Sequence, residues 1–139
     1  MSRQLLVKHA SDILKIRLAN LYLNDQLLDG KFNNLPLHLA VGHEALHQAI
    51  ALAKRGCDDV VVTHRNFGLN FAIDPEILPM ILKYSDGNDS VAREIDSYGS
   101  MNLINKRQGI KYASSILGNN LSVASGLGYS KKLNGEGIV

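Results

Sequence analysis

The chain has 139 residues, enough for one domain with a real core. Hydrophobic residues make up 45% and charged residues 20%, and the formal net charge is +2. That is ordinary globular composition, and with no basic run longer than two neighbours it argues against nucleic acid as the main partner. The single Cys57 excludes an internal disulfide and fits a reducing compartment. No apolar run reaches membrane-spanning length, so no membrane partner is expected. The opening MSRQLLVKHASD lacks the continuous apolar core of a secretory signal, which leaves the cytoplasm as the expected location.

In chain order, Leu5 to Leu28 reads as one long helix. Leu6, Ala10, Ile13, Leu14, Arg17, Leu18 and Leu21 recur at spacings of three and four, and Asp29-Gly30 supplies the stop. Lys31 to Leu37 is a connector with turn residues. A second helix is expected from about Gly42 to Arg55, with Ala45, Leu46, Ala49, Ile50 and Ala53 facing inward. His38 stands just before it, where free backbone N–H groups favour an anion, although a lone histidine more often satisfies a local carbonyl.

Val60 to Val62, three β-branched residues, predict a short buried strand. Thr63, His64, Arg65 and Asn66 come next, where that strand should end. Ligands of open α/β sheets sit outside the carboxyl ends of strands, and an arginine fork suits phosphate oxygens. His64 and Arg65 are thus a candidate anion site; the other reading is a surface arginine beside a solvated histidine.

Gly68 to Ala72 predicts a helical turn. Asp74-Pro75-Glu76 is a helix start, with Ile77, Leu78, Ile81 and Leu82 on its buried side and Pro79 predicting a kink or a shorter helix. Ser85 to Asn88 reads as a turn and Asp89 to Asp96 as a short helix. Ser97 to Ser114 shows little periodicity and reads as a long loop. Ala113 to Leu121 is a small-residue turn. Leu121 to Leu133 returns to helix, with Val123, Ala124, Leu127 and Gly128 toward a sheet and the glycines suggesting close packing. Gly137 to Val139 looks like the start of a strand, so the sequence reads as cut off in mid-fold. The small-residue faces Ala45–Ala53 and Ala124–Gly128 suit either subunit contact or packing within the domain.

The order of these pieces resembles the alpha subunit of thiamine-diphosphate-dependent 2-oxo acid dehydrogenases, the pyruvate, branched-chain and acetoin dehydrogenase group. The resemblance covers almost the full chain. It is carried by HLAVGHEA at His38–Ala45, DDVVVTHRNFG at Asp58–Gly68, the helix start at Asp74, YGSMN at Tyr98–Asn102, and SSILGNN at Ser114–Asn120 before a Gly/Ala-rich helix. Each piece is weak alone; five in the right order are quite specific.

The resemblance implies an α/β fold, residues 1–139 forming the amino-terminal part of a thiamine-diphosphate-binding, doubly wound parallel sheet. It implies oxidative decarboxylation of a 2-oxo acid, or acetoin cleavage, with acyl transfer to a lipoyl group. By the same resemblance His38 is the catalytic candidate, a donor near the reacting carbon or the phosphates. His64 and Arg65 match the diphosphate contacts, and Ser115, Ile116 and Leu117 match the turn that holds the aminopyrimidine. Ser114, Asn119 and Asn120 match positions that bind structural potassium in some members, and oxygen-rich groups suit a hard cation.

The family's carboxylate that activates the cofactor comes from a beta-type chain, so Glu44 is expected to cap the second helix or contact the partner. The implied assembly is a homo- or hetero-oligomer with a beta-type subunit and a carboxy-terminal half. That half would carry the Gly-Asp-Gly motif for Mg²⁺, so this chain alone is expected to be inactive and to hold the cofactor weakly. Phe67 and Asn102 stand where the family has histidines. Two other readings are a non-catalytic assembly domain of the same descent and a small binding domain for another phosphate compound.

Overall fold

The computed structural model describes residues 2–31, 37–85 and 102–136. It is rich in helix and holds a two-stranded parallel sheet, an arrangement compatible with α/β architecture. The elements are α1 (Arg3–Leu28), α2 (Glu44–Ala53), β1 (Val60–Thr63), α3 (Phe67–Ile73), α4 (Ile77–Ser85), a 3₁₀ turn (Lys106–Gln108), β2 (Ile110–Ser114) and α5 (Asn119–Leu133).

The expected first helix is present from Arg3, where the Ser2 hydroxyl accepts from the Leu5 N–H, to Leu28. Asp29 caps it, and Gly30 comes after it at φ 73°. Its inward face is not the expected one. Ile16, Ala19, Asn20 and Leu23 are buried, whereas Leu14, Leu18 and Leu21 point outward. The helix carries apolar residues on both sides, so periodicity alone does not choose the core side.

In α2 the correction is sharper. Glu44, His47 and Gln48 are buried, Ile50 is half-buried, and Ala45, Leu46, Ala49 and Ala53 face solvent. The polar side turns inward for two reasons: Glu44 meets a cation on α1, and His47 packs where Gly68 of α3 leaves room. A Cβ at Gly68 would collide with the His47 ring and meet Ile16 Cγ2 at 3.1 Å, so that helix crossing requires glycine.

β1 forms as expected and pairs in parallel with β2: Val61 opposite Tyr112, Val62 opposite Ala113, Thr63 opposite Ser114. β2 and its 3₁₀ turn lie within the stretch expected to be a long loop; Ile110 to Ser114 are too few, and too mixed in polarity, to show a strand period. The turn ends on Gly109 at φ 82°. Its N–H donates to the Lys106 carbonyl, and its own carbonyl accepts from Val60 N at 2.8 Å, which starts the ladder.

Asp74 caps the turn before α4, its Oδ1 accepting from Glu76 N at 3.2 Å, and the helix proper begins at Ile77. Pro79 is therefore the third helical residue, where the missing N–H has no intrahelical partner to lose, and the helix is short as anticipated. α5 starts two residues before expectation, with its half-buried side at Val123, Ala124, Leu127 and Gly128. Gly126 is exposed with open space around it, so close packing is not its reason.

Two apolar clusters hold the fold. Ala19, Leu23, Leu37, Phe67, Ile77, Ile81 and Leu103 join α1, α3 and α4. Val62, Leu69, Ile104, Ile110 and Ala113 lie between the sheet and α3. The expected turn after Ser85, the helix over 89–96 and the strand at 137–139 lie outside the described residues, as does most of the connector after Lys31.

Candidate functional site

The parallel register decides where the site lies. Thr63 and Ser114 are the paired last residues of β1 and β2, so both strands release the chain at one rim. His64 N donates to the Ser114 carbonyl at 3.1 Å, which ties the two exits together. The segment before α2 arrives at the same rim. The His38 ring stands edge-on to His64, centroids 4.8 Å apart, and Arg65 Nη1 donates to the Leu39 carbonyl at 3.1 Å. His38, His64, Arg65 and Ser115, the residue directly after Ser114, thus share one end of the sheet.

The turn that carries His64 and Arg65 is held by buried amides. Asn66 Nδ2 donates to the Thr63 carbonyl at 2.7 Å and to the Leu103 carbonyl at 3.1 Å. Asn70, one helical turn on, donates to Asn66 Oδ1 at 2.9 Å. Both asparagines are essentially sealed from water, at 2% and 0% exposure. Asparagine just past a strand, repeated four residues later, offers side-chain hydrogen bonds to an irregular backbone. That signal is present in the sequence, although the expectations drawn from it did not include this pair.

Burial, then the neighbouring His38 ring, then the Arg65 charge push His64 below the ordinary histidine range; contact with the Ser114 backbone pulls weakly the other way. Its buried Nδ1 has no hydrogen-bond partner. An orphaned buried nitrogen is uncommon and calls for an explanation at its site. Arg65 is exposed, with a fork of donors free to meet an anion beyond the Leu39 carbonyl.

The turn after β2 is open. Ser115, Ile116 and Leu117 are exposed, Leu117 at 85%. Gly118 at φ 85° turns the chain into α5. Ser114 Oγ accepts from Ile116 N at 3.1 Å, and Asn119 Nδ2 donates to Tyr112 Oη at 2.7 Å and more weakly to Ser114 Oγ at 3.5 Å. Asn120 Oδ1 is buried without a partner. Ser114 and Asn119 are thus in contact, and Asn120 follows Asn119 in the first turn of α5.

Glu44 lies apart from this chemistry. Arg17 Nε donates to Oε1 at 2.6 Å and Nη2 to Oε2 at 2.9 Å, a bidentate pair between α1 and α2. Gly42 N, at φ 106°, donates to the same carboxylate at 3.0 Å. Hydrogen bonding to Arg17 outweighs burial and holds the carboxyl down at about 2. Glu44 is a helix-to-helix clamp that also ties down Gly42, the residue before the α2 N-cap His43; His43 itself makes no side-chain capping bond.

The string His43-Glu44-Ala45-Leu46-His47 has the spacing of a zinc-protease helix. Its geometry does not serve that chemistry. The Glu44 carboxylate is committed to Arg17, His47 is buried against Gly68, and no group of three His, Cys, Asp or Glu gathers among the described residues. Phe67 is fully buried in the core, and Asn102 is half-buried beside Leu103 in the sequence. Among the described residues no helix is long and apolar enough to cross a membrane.

No family model matches the chain, and no curated protein or solved structure is significantly similar to it.

Proposed function

We propose that the rim formed by the carboxyl ends of β1 and β2 binds the diphosphate of thiamine diphosphate. The chain would then be part of a thiamine-diphosphate-dependent dehydrogenase alpha subunit, with a 2-oxo acid or acetoin as substrate and a lipoyl group as acyl acceptor. The observation that carries the reading is the convergence of three separate segments. His38, His64-Arg65 and Ser115 are far apart in sequence and meet at one strand rim. Each belongs to a different one of the sequence pieces that carry the resemblance.

The residues suit the group. Arg65 offers a fork to phosphate oxygens, the histidine pair adds ring N–H donors, and the exposed turn at Ser115–Leu117 offers main-chain groups to a ring. The cofactor supplies an electron sink for decarboxylation when bound; this chain's part is to hold and orient its diphosphate end. Ser114, Asn119 and Asn120 would hold potassium beside it. Mg²⁺ would need carboxylate ligands beyond those described, together with a beta-type partner for catalysis.

A second reading is an assembly domain of the same descent without chemistry. Phe67 favours it, because a ring wholly buried in the core stands where the resemblance expects a histidine. Both readings are tested by monitoring the His38 and His64 ring resonances during addition of thiamine diphosphate with Mg²⁺, then of thiamine without phosphates. The cofactor reading expects shifts at both rings with the diphosphate only, lost in Arg65→Ala. Absence of shifts at either ring overturns it.

A further inference from the structure

We infer that α1 pairs with α1 of a second copy of this chain, antiparallel, through the face turned away from the core. Val7, Leu14, Leu21 and Leu28 recur at a strict interval of seven, with Leu18 beside them. All five are exposed, from 41% at Leu21 to 79% at Leu28. The opposite side of the helix already buries Ile16, Ala19 and Leu23 in this chain's own core. A helix that is apolar on two sides has two faces to cover.

Symmetry and charge identify the occupant. The four residues are evenly placed about the midpoint between Arg17 and Leu18. Reversing the helix about that point sets Val7 against Leu28 and Leu14 against Leu21, so the stripe is complementary to itself, as a two-fold interface demands.

The charges agree. The amino-terminal part of α1 carries Arg3 and Lys8 with no acid before Asp12, and the carboxy-terminal part carries Asp25 and Asp29 with no base between Leu18 and Gly30. A parallel pair would set like charges side by side; an antiparallel pair sets base against acid. This order also opposes the helix dipole: the first turn has no acid and the last no base. A dipole-opposed arrangement costs an isolated helix stability, and an antiparallel neighbour offsets it. Arg17, next to the axis, is neutralised by Glu44 and so does not repel its own copy.

From Val7 to Leu28 the stripe runs about 32 Å at the rise of an α-helix and is about 10 Å wide. That area is at the low end for a specific interface, so the pair is weak and forms with rising concentration. The inference does not rest on the cofactor reading.

Sedimentation of the whole chain should show a monomer–dimer equilibrium. Leu14→Lys and, separately, Leu18→Lys should abolish it with unchanged far-ultraviolet circular dichroism. A monomer at every concentration overturns the inference, including the case in which another protein covers this face. Orientation is read with Cys57→Ser as background. Val7→Cys mixed with Leu28→Cys should cross-link between copies, and neither should cross-link with itself. Self-linked Val7→Cys would overturn the antiparallel arrangement. Cross-linking needs only native fold, so it stands even if a lysine variant unfolds.

Discussion

Glu44 has the structural role expected of it, but its partner comes from a contact that no sequence window contains. Its carboxylate is buried at 3% exposure, yet it is charged, because Arg17 grips both oxygens and Gly42 adds a backbone donor. Its folded value of about 2 lies below the ordinary 4.5. A lowered carboxylate stabilises the fold fully above the unfolded value, and that stabilisation is lost as pH falls from about 4.5 toward about 2. Glu44→Gln keeps the shape and removes the charge. Arg17 is partly exposed and can turn to water, so a loss of about 1–3 kcal/mol is expected at neutral pH in urea unfolding. The variant should also lose much of the wild-type decline in stability between those two pH values. Equal steepness in both proteins would show that the clamp is energetically idle.

Other residues were equally legible in kind but not in contact. His64 and Arg65 could be placed at a strand end from sequence because β-branched runs and their polar exits are local signals. That His38 would stand 4.8 Å from His64 is a long-range fact that no window of residues contains. Asn66 and Asn70 carry the turn, and their role depends on the Leu103 carbonyl, which arrives from a distant segment.

At the scale of elements, lengths were read better than faces. α1, β1, α3 and α5 appear close to where spacing and turn residues put them. The inward sides of α1 and α2 were not, because choosing a side needs the neighbour: Ile16 on α1 and His47 on α2 are both fixed by Gly68 of α3. β2 was missed because its partner, not its composition, makes it a strand.

Two glycines at element junctions separate backbone cost from contact cost. Gly109 and Gly118 have nearly the same left-handed backbone, φ 82° and 85°. A Cβ at Gly118 meets nothing within 4 Å, while one at Gly109 would approach the Asp58 carbonyl to 2.6 Å. Gly118→Ala should therefore cost only the conformational penalty, about 1–2 kcal/mol. Gly109→Ala should cost clearly more, because the clash also disturbs the Val60–Gly109 hydrogen bond that begins the sheet. Thermal unfolding of the two variants side by side gives the comparison; equal losses would mean the strand start yields without strain.

On the whole molecule, the anion proposed for the rim would have its binding tied to protons. Lys131 does not compete for that anion: it is spent inside, its Nζ donating to the Cys57 carbonyl at 2.7 Å and pairing with Asp59 at 3.2 Å. His64 has a lowered value, so near neutrality it is uncharged beside Arg65. A bound anion would favour the imidazolium and raise that value, so binding takes up a proton. By linkage, affinity for the anion must then rise as pH falls toward the range where His64 titrates. Sulfate is a suitable probe because its own charge is constant over that range. At fixed ionic strength, calorimetric titration between about pH 8 and about pH 5 should show tightening toward acid in the native protein. His64→Gln should flatten the dependence while leaving weak binding through Arg65, and Arg65→Ala should remove most binding at any pH. A pH-independent affinity in the native chain would mean that His64 and the anion do not share this rim.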